Sequence, residues 1–437
     1  MIKEQMDQHP IIKDSPMALS IAVAVLIVAE LVLRMSGYAS NQTQPANGEN
    51  EPAYQQHPVY RMSLKPGLIR SFSRVDQGRT VVTQWSTNSR SFRGGEIRSD
   101  KPAVRVVVYG DSNVFAQFSN LEDTFTFKLQ ERLRQNTGRD VEVINAGVPG
   151  YGPDQSLLRL EEEVDFLNPD IIVFHIFADN DFGDLIRNRL FAIDSSGQLV
   201  RTPSDQRPDP CLENSATCLN TSSSSGVQTF LSSLAVVKTS RSLIRQIPFL
   251  EQFADPSASS VIRYYLDLCE TEYRFFTKPG AQRPSHFADH YDYDLALEPA
   301  GESARTKVTL MTGILHMAKQ LAATKQAQLL VTVQPSSFDL TTHLRPNFTD
   351  FEGFPGYRRD RLAQIVEQAA ETEGIDVINL FDLFLNHAPD RLFFANNDDH
   401  WSEAGQELAA HTVATFIHSK YLSAGRNHSR IVSRTTP

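Results

Sequence analysis

The fold is indicated by the stretch Val104-Arg105-Val106-Val107-Val108-Tyr109, which runs directly into Gly110-Asp111-Ser112-Asn113. A short apolar run rich in β-branched residues is typical of a strand buried on both faces of a parallel sheet. A serine directly after such a strand lies where open α/β sheets gather their ligands and catalytic groups. A serine hydroxyl needs an imidazole base, and the imidazole needs a carboxylate to orient it. Asp398-Asp399-His400-Trp401, near the C-terminus, offers both partners.

The same strand and helix patterns recur on both sides of this stretch. Apolar runs predict strands at residues 104–109, 141–144, 171–177, 328–333 and 376–380. Helical spacing of apolar residues predicts helices at residues 122–134, 154–166, 306–323, 357–372 and 403–421. Strands that alternate with helices through short connections predict a parallel sheet with right-handed crossovers. The fold class is therefore α/β, and we expect a three-layer αβα sandwich with a mostly parallel sheet, as in flavodoxin-like folds.

The chain divides by composition into a long main domain and shorter flanking segments. The predicted order is an N-terminal tail (1–16), an apolar segment (17–34), a linker (35–57), a β-like lead-in (58–101), the main domain (102–421) and a C-terminal tail (422–437). Within the main domain, residues 185–302 break the strand and helix rhythm. An insertion of this length forms either a lid or substrate-binding subdomain, or a partly disordered segment.

An apolar segment near the N-terminus predicts a membrane anchor. Residues 17–33 read MALSIAVAVLIVAELVL, interrupted only by Ser20 and Glu30, which is close to the shortest run that spans a bilayer. A cleaved signal peptide or a buried helix are the alternatives. Lys3 and Lys13 precede the segment and Arg34 follows it, a bias toward a cytoplasmic N-terminus with the catalytic domain in the periplasm or outside the cell.

The cysteines bear on the cellular compartment, and the overall charge bears on the class of partner. Cys211 and Cys218 lie in one short polar loop, where they form either a disulfide, in an oxidising compartment, or two free thiols. The formal net charge is −10, with 41% hydrophobic and 22% charged residues. No dense Lys/Arg stripe crosses the body of the chain, so a nucleic-acid function is disfavoured.

Polar motifs follow several predicted strands, and together they resemble one family. Ser112 follows the first strand, Gly147 to Gly152 the second, Asn180 the third, and Asp398 with His400 precedes the last helix. This order resembles that of the SGNH (GDSL-type) hydrolases, including their bacterial membrane-anchored and envelope members. Residues 88–94, NSRSFRG, also resemble the lead-in that bacterial members carry before the first strand.

The resemblance implies a role for each of these residues. Ser112 would be the nucleophile, His400 its general base and Asp398 the acid of the triad. The oxyanion hole would consist of the Ser112 and Gly150 backbone N–H groups and the Asn180 side-chain amide. Gly147 competes with Gly150, and the spacing from Asn145 favours Gly150.

The sequence departs from the family pattern in two places. Asn397 occupies the position of the usual triad aspartate, so Asp398 is the preferred acid. Asp399, or no acid at all, is the alternative, and adjacency to His400 is expected to place Asp399 poorly for reaching the ring. Ala178 stands where glycine is usual before the asparagine block, a small change that leaves Asn180 in position.

Several other polar residues are interpreted as structural. Asp111 is expected to shape the serine turn by hydrogen bonding, and His175 to be a satisfied core histidine. Asp179, Asp181 and Asp184 lack the spacing of a calcium loop. We therefore predict no metal and no cofactor.

The expected activity is that of a serine esterase. The predicted substrate is an acylated small molecule or an envelope or extracellular carbohydrate, with acetyl as the expected acyl group. An O-acyltransferase with the same triad, and a non-catalytic envelope scaffold with this fold, are the alternatives.

Overall fold

The centre of the molecule is a five-stranded parallel sheet, seen in a computed structural model. The structure describes residues 53–76, 79–203, 258–278, 290–341, 354–394 and 399–423, all of which belong to one compact unit. The strands are β1 (Tyr54–His57), β2 (Arg61–Leu64), β3 (Ile69–Asp76), β4 (Arg79–Ser86), β5 (Val104–Gly110), β6 (Val141–Gly147), β7 (Ile171–Phe177), β8 (Phe191–Ile193), β9 (Leu199–Arg201), β10 (Gln328–Gln334) and β11 (Asp376–Asn379).

The helices lie mainly between these strands. They are α1 (Ser112–Phe115), α2 (Phe125–Thr137), α3 (Pro153–Leu167), α4 (Asp181–Asn188), α5 (Ala258–Phe276), α6 (Tyr293–Leu297), α7 (Glu302–Thr324), α8 (Ser337–Leu340), α9 (Arg361–Thr372), α10 (Phe381–Leu385) and α11 (Glu403–Ile417). Short 3₁₀ turns cover Leu121–Asp123 and Pro389–Arg391, and one π-helical turn, His418–Leu422, follows α11.

The order of the central strands is β11-β10-β7-β5-β6. The chain passes from β5 outward to β6 and then returns to β7 on the other side of β5. Right-handed crossovers in opposite directions place α2 and α3 on opposite faces of the sheet. α11 packs on α2, while α4, α7 and α9 pack with α3 or with one another. The predicted α/β fold with a parallel sheet is therefore confirmed, and β5 lies at the point where the strand order reverses.

The burial of the central strands agrees with the apolar runs in the sequence. Every residue of β5 and of β7 is buried, and Val106, Val107 and Val108 have no exposed surface. The five predicted strands and five predicted helices of the main domain are all observed, with ends shifted by a few residues. The strands could be predicted because they are apolar on both faces, and such a strand is stable mainly in the interior of a parallel sheet.

Two antiparallel hairpins precede the sheet. β1 pairs with β2, and β3 pairs with β4. The predicted linker extended to residue 57, whereas Tyr54–His57 is already a strand. Its side chains are only partly buried, and a pattern without a buried face gives little periodic signal.

Part of the predicted insertion, and several other predictions, lie outside the described residues. Within the insertion the structure describes the β8–β9 hairpin and α5. Residues 17–34, the pair Cys211 and Cys218, and Asp398 are not described. No helix among the described residues has both the length and the apolar character needed to cross a membrane. Cys269, which is described, is a buried free thiol.

Candidate active site

Ser112 begins a short helix directly after β5. Asp111 caps this helix, because its carboxylate accepts the Asn113 backbone N–H at 2.9 Å and the Asn113 side-chain amide at 3.2 Å. The helix ends at Ala116 in the left-handed region, with φ of 54°. As the first residue of the helix, Ser112 has a backbone N–H without an intrahelical acceptor. The predicted role of Asp111 in shaping the serine turn is confirmed.

Gly147 gives the serine turn the room that it needs. A Cβ at this position would lie 2.5 Å from the Phe115 backbone nitrogen and 2.9 Å from the Asp111 carbonyl oxygen. The Gly147 N–H donates to the Asn145 side-chain oxygen at 3.0 Å, so it is already engaged within the protein. Gly147 therefore contributes space at the site.

Gly150 lies at the tip of the turn that follows β6. The Tyr151 N–H donates to the Val148 carbonyl at 3.1 Å, and Gly150 has φ of 79°. Proline followed by glycine with positive φ is the signature of a type II turn. Gly150 is exposed, and its N–H donates to no acceptor among the residues described. Gly150 thus combines the geometry of a type II turn with a backbone N–H that is available as a donor.

Asn180 follows β7 and begins α4, but its side chain does not cap the helix. Its backbone carbonyl accepts the Asp184 N–H at 3.0 Å, whereas its side-chain oxygen has no hydrogen-bond partner in the described part of the chain. Ala178, which replaces the usual glycine, is buried and donates its N–H to the Gln334 carbonyl at 2.9 Å. The Asn180 side chain therefore does not act as the cap of α4.

His400 is held by its neighbour Asp399. The two side chains form an ion pair of 3.1 Å between His400 Nδ1 and an Asp399 carboxylate oxygen. The expectation that adjacency places Asp399 poorly was wrong, because residues 399–402 lie in an irregular segment before α11 that lets the carboxylate fold back onto the ring. Asp398 lies outside the described residues and stays a prediction.

Electrostatics connect the His400 loop to the serine turn. Burial raises the pKa of Asp111 to about 6, while the Asn113 N–H and the charge of His400 oppose that rise. The charge of Asp399 raises the same pKa further. His400 and Asp399 therefore act electrostatically on the carboxylate beside Ser112. For Asp399 burial raises the pKa, but the hydrogen bond and charge of His400 lower it below its ordinary value.

Packing holds the His400 loop in the same place. Trp401 is fully buried, and its ring contacts the His175 ring on β7 at 5.1 Å between centroids. A Cβ on Gly110, the last residue of β5, would lie 3.0 Å from the His175 Cβ. The loop is thus packed against the strand next to the one that presents Ser112.

His175 is a satisfied core residue, as predicted. One ring nitrogen lies 2.9 Å from the Thr332 hydroxyl and the other 3.2 Å from the Gln334 side-chain oxygen. Burial lowers the pKa of His175 to about 4, so the ring is neutral near pH 7.

The three aspartates near β7 are engaged with protein groups. Asp181 accepts the Phe177 N–H at 2.7 Å, Asp184 pairs with Arg187 at 2.9 Å, and Asp179 accepts from the Ser336 hydroxyl. Within the described residues, no group of three or more His, Cys, Asp or Glu side chains is arranged to hold a metal ion.

The N-terminal hairpins contribute side chains that sequence reasoning did not assign to the site. Phe118 contacts the His400 ring at 4.8 Å between centroids and Phe72 of β3 at 4.7 Å. Met62 of β2 lies 3.4 Å from where a Gly150 Cβ would be. No motif marks these residues, and only the tertiary packing brings them beside His400 and Gly150.

The C-terminal end of the insertion also supports the site. The Asp292 N–H donates to the Asp179 carbonyl at 2.7 Å, and the Asp292 carboxylate accepts the Gly183 N–H at 3.1 Å. The two residues bound in this way, Asp179 and Gly183, lie before and after Asn180 in the sequence. The insertion therefore ends by fixing the loop that carries the candidate oxyanion donor.

Residues 294–437 match the family model of the SGNH hydrolase-like domain of acetyltransferase AlgX. Residues 294–437, which include His400, are therefore similar to an SGNH hydrolase-like domain. Ser112, Gly150 and Asn180 lie before the matched residues. No curated protein is significantly similar to the chain in sequence.

Similarity to solved structures is broad but weak. A lipase/acylhydrolase from Enterococcus faecalis is 14% identical, with a TM-score of 0.35 over 72% of this chain and 96% of that one. An acetyl xylan esterase is 13% identical, with a TM-score of 0.36 over 72% of this chain and 100% of that one. An acetylxylan esterase from Geobacillus stearothermophilus, a catalytic mutant, is 12% identical, with a TM-score of 0.34 over 75% and 100%. At such TM-scores we draw no functional conclusion from them.

Proposed function

We propose that the SGNH hydrolase-like domain is a serine esterase that removes acyl groups, with acetyl as the expected one, from an acylated carbohydrate. The observation that carries the proposal is the ion pair between His400 and Asp399 beside the Asp111-Ser112 turn. An oriented imidazole next to a serine at the carboxyl end of a buried strand is the arrangement that makes a hydroxyl nucleophilic.

In the proposed reaction, Ser112 Oγ attacks the ester carbonyl carbon while His400 takes the hydroxyl proton. The tetrahedral oxyanion accepts hydrogen bonds from the Ser112 and Gly150 N–H groups and the Asn180 amide. When the acyl-enzyme forms, the C–O bond to the sugar breaks and His400 returns the proton to the departing alcohol. His400 then takes a proton from water, which attacks the acyl carbon and releases the free acid and Ser112.

An O-acyltransferase is the second candidate function. The match of residues 294–437 to a domain named for an acetyltransferase favours it. The chemistry is the same up to the acyl-enzyme, and the two reactions differ only in whether a sugar hydroxyl or water attacks. The outcome depends on how well the site excludes water from the acyl-enzyme.

A single set of assays tests both candidates. The full chain is given a chromogenic acetyl ester, with and without an oligosaccharide acceptor, and both free acetate and acetylated sugar are measured. Acetate alone supports the esterase, and acetylated sugar supports the transferase. Fluorophosphonate labelling of Ser112 accompanies the assay.

The variants decide whether this site performs the reaction. Ser112→Ala and His400→Ala are expected to abolish turnover, and Asn180→Ala to lower kcat by roughly 10²–10³. His387→Ala, at an exposed histidine elsewhere on the chain, is the control and should retain full activity. If the unaltered chain turned over the ester no faster than Ser112→Ala did, and Ser112 resisted fluorophosphonate labelling, the non-catalytic scaffold would replace both candidates.

We also propose that residues 17–34 anchor the protein and that the catalytic domain lies outside the cytoplasm. The length and apolar character of the segment and the flanking Lys3, Lys13 and Arg34 support this. Membrane fractionation of the full chain, followed by protease treatment of intact cells or spheroplasts, tests it. Recovery of the chain in the soluble cytoplasmic fraction would exclude the proposal.

A further inference from the structure

Arg93 is a buried arginine that has no carboxylate partner among the residues that the structure describes. Only 4% of its surface is exposed. Its Nη2 donates to the Ser119 carbonyl at 2.7 Å, whereas Nε and Nη1 have no hydrogen-bond partner within the described residues. Leaving a buried charge unpaired is costly, so an unpartnered guanidinium calls for an explanation.

Three other buried arginines are paired with carboxylates. Arg105 pairs with Glu142 at 2.7 Å, Arg159 with Glu163 at 2.8 Å, and Arg187 with Asp184 at 2.9 Å. Burial lowers the pKa of Arg93 to about 9. Within the described part of the chain, these three arginines have an anionic partner and Arg93 has none.

A pocket lies beside this guanidinium. It has a volume of about 450 Å³ and is lined by Arg93 together with Gln84, Trp85, Ser86, Asn120 and Glu122. Small-molecule sites typically combine an apolar wall with a few polar groups and one charge. Trp85 supplies the apolar surface, and Gln84 and Asn120 supply amides.

We propose that this pocket binds a small organic carboxylate, with Arg93 as its cationic partner. A guanidinium matches a carboxylate in shape and in hydrogen-bonding capacity. One carboxylate neutralises one guanidinium, whereas a phosphate dianion would leave excess negative charge in a pocket that also contains Glu122. Trp85 covers the organic part of the ligand.

The pocket also touches the back of the serine turn. The Arg93 guanidinium lies over the Phe115 ring at 5.0 Å, and Trp85 packs edge-on against the same ring at 5.0 Å. Phe115 is the last residue of α1, which Ser112 begins. The binding proposal is nevertheless independent of the esterase proposal, because binding is measured without turnover.

Trp85 provides a direct probe of occupancy. The chain has two tryptophans, and the other, Trp401, is fully buried in the core. Sodium acetate is titrated into the full chain while tryptophan fluorescence is recorded, with sodium chloride at matched ionic strength and inorganic phosphate in parallel. We expect a saturable change with acetate, none with chloride, and weaker binding of phosphate than of acetate.

Two variants test whether acetate binds at this pocket or elsewhere on the chain. Arg93→Lys is expected to weaken acetate binding by roughly tenfold or more, because hydrogen bonds to a charged partner contribute strongly. Arg90→Lys, at an exposed arginine nearby, should bind as the unaltered chain does. No saturable change, tighter binding of phosphate, or equal acetate affinity in Arg93→Lys would overturn the proposal.

A second variant covers the case in which Arg93→Lys does not fold. Trp85→Phe keeps an aromatic ring against Phe115 and removes the reporter from the pocket. The acetate-dependent fluorescence change should disappear in this variant while the Trp401 emission remains. If the change persisted, acetate would be binding elsewhere and the proposal would be wrong.

Discussion

Asp111 and Asp399 both lie close to His400, yet their pKa values move in opposite directions. Burial raises that of Asp111 to about 6, and contact with His400 lowers that of Asp399. Only a carboxylate that stays ionised can hold an imidazole in the tautomer of a general base and stabilise its protonated form. At the scale of single residues, Asp399 is therefore suited to orient His400, and Asp111 is suited to cap the serine turn.

A matched pair of variants at the two candidate acids tests this assignment. Asp399→Asn is expected to lower kcat by roughly 10³–10⁴, as loss of a triad carboxylate typically does, because the 3.1 Å ion pair with His400 is lost. Asp398→Asn is expected to leave kcat nearly unchanged. The measurement is steady-state hydrolysis of an acetyl ester near pH 7.5. The reverse ranking of the two variants would restore Asp398, the acid favoured by the motif.

Asp339 should make stability depend on pH. Burial raises its pKa from 3.8 to about 7, although hydrogen bonds from Tyr357 and Tyr291 oppose the rise. A folded-state pKa above the unfolded value stabilises the fold fully at acidic pH, and this contribution is lost as pH rises from about 4 to about 7. Asn cannot ionise but keeps an oxygen that accepts from both tyrosines. The Tm of Asp339→Asn relative to the unaltered chain should thus be higher at pH 8 than at pH 5, and an equal difference at both pH values would contradict this.

At the scale of elements, the site depends on how closely the ends of β5, β6 and β7 approach one another. A Cβ on Gly110 would lie 2.6 Å from the Val114 side chain, and one on Gly147 would meet the backbone of α1. The Val148 N–H donates to the Gly110 carbonyl at 3.1 Å, which continues the β5–β6 pairing past the strand ends. Glycine at these positions lets the serine turn sit directly against the neighbouring loop.

Gly147→Ala should damage both stability and activity. The new methyl would lie 2.5 Å from the Phe115 nitrogen, so the turn must shift, at a cost of about 1–3 kcal/mol in the free energy of unfolding. Since Ser112 begins the same turn, kcat should fall as well. Urea unfolding and ester hydrolysis measure the two effects. Gly95→Ala, where an added Cβ meets nothing within 4 Å, is the control, and an equal response of the two variants would refute the packing explanation.

At the scale of the whole molecule, buried ionic groups join segments that are far apart in the chain. Lys307 of α7 is fully buried and donates to Asp292 at 2.7 Å and to Asp294 at 2.8 Å. Asp292 in turn contacts the backbone around Asn180. Helix α7, the C-terminal end of the insertion and the oxyanion loop are thereby linked through one buried cluster.

Lys307→Met should therefore be strongly destabilising. Removing one partner leaves Asp292 and Asp294 buried without their cation, and such losses cost about 3–5 kcal/mol. Lys101→Met, which removes a half-exposed pair with Asp170 at 2.9 Å, is the matched control and should cost at most about 1 kcal/mol. Urea denaturation of both variants gives the comparison. A loss for Lys307→Met no larger than that for Lys101→Met would show that the buried cluster contributes little.

The sequence by itself determined the α/β class, the strands and the position of Ser112. Runs such as Val104–Gly110, apolar on both faces, have one stable environment, the interior of a parallel sheet. Asp111 as a cap and His175 as a satisfied core residue could also be inferred, because each follows from a local pattern of apolar strand and polar turn.

Only the tertiary structure decided which groups meet across long sequence separations. It placed Phe118 beside the His400 ring, Phe72 against Phe118 and Asp292 behind Asn180, and it left Arg93 buried without a carboxylate among the described residues. None of these contacts has a periodic or motif signal. They arise from the strand order β11-β10-β7-β5-β6, which brings distant segments together at one edge of the sheet. Burial adds to this effect, because it strengthens the interactions between paired charges and leaves a charge without a partner uncompensated.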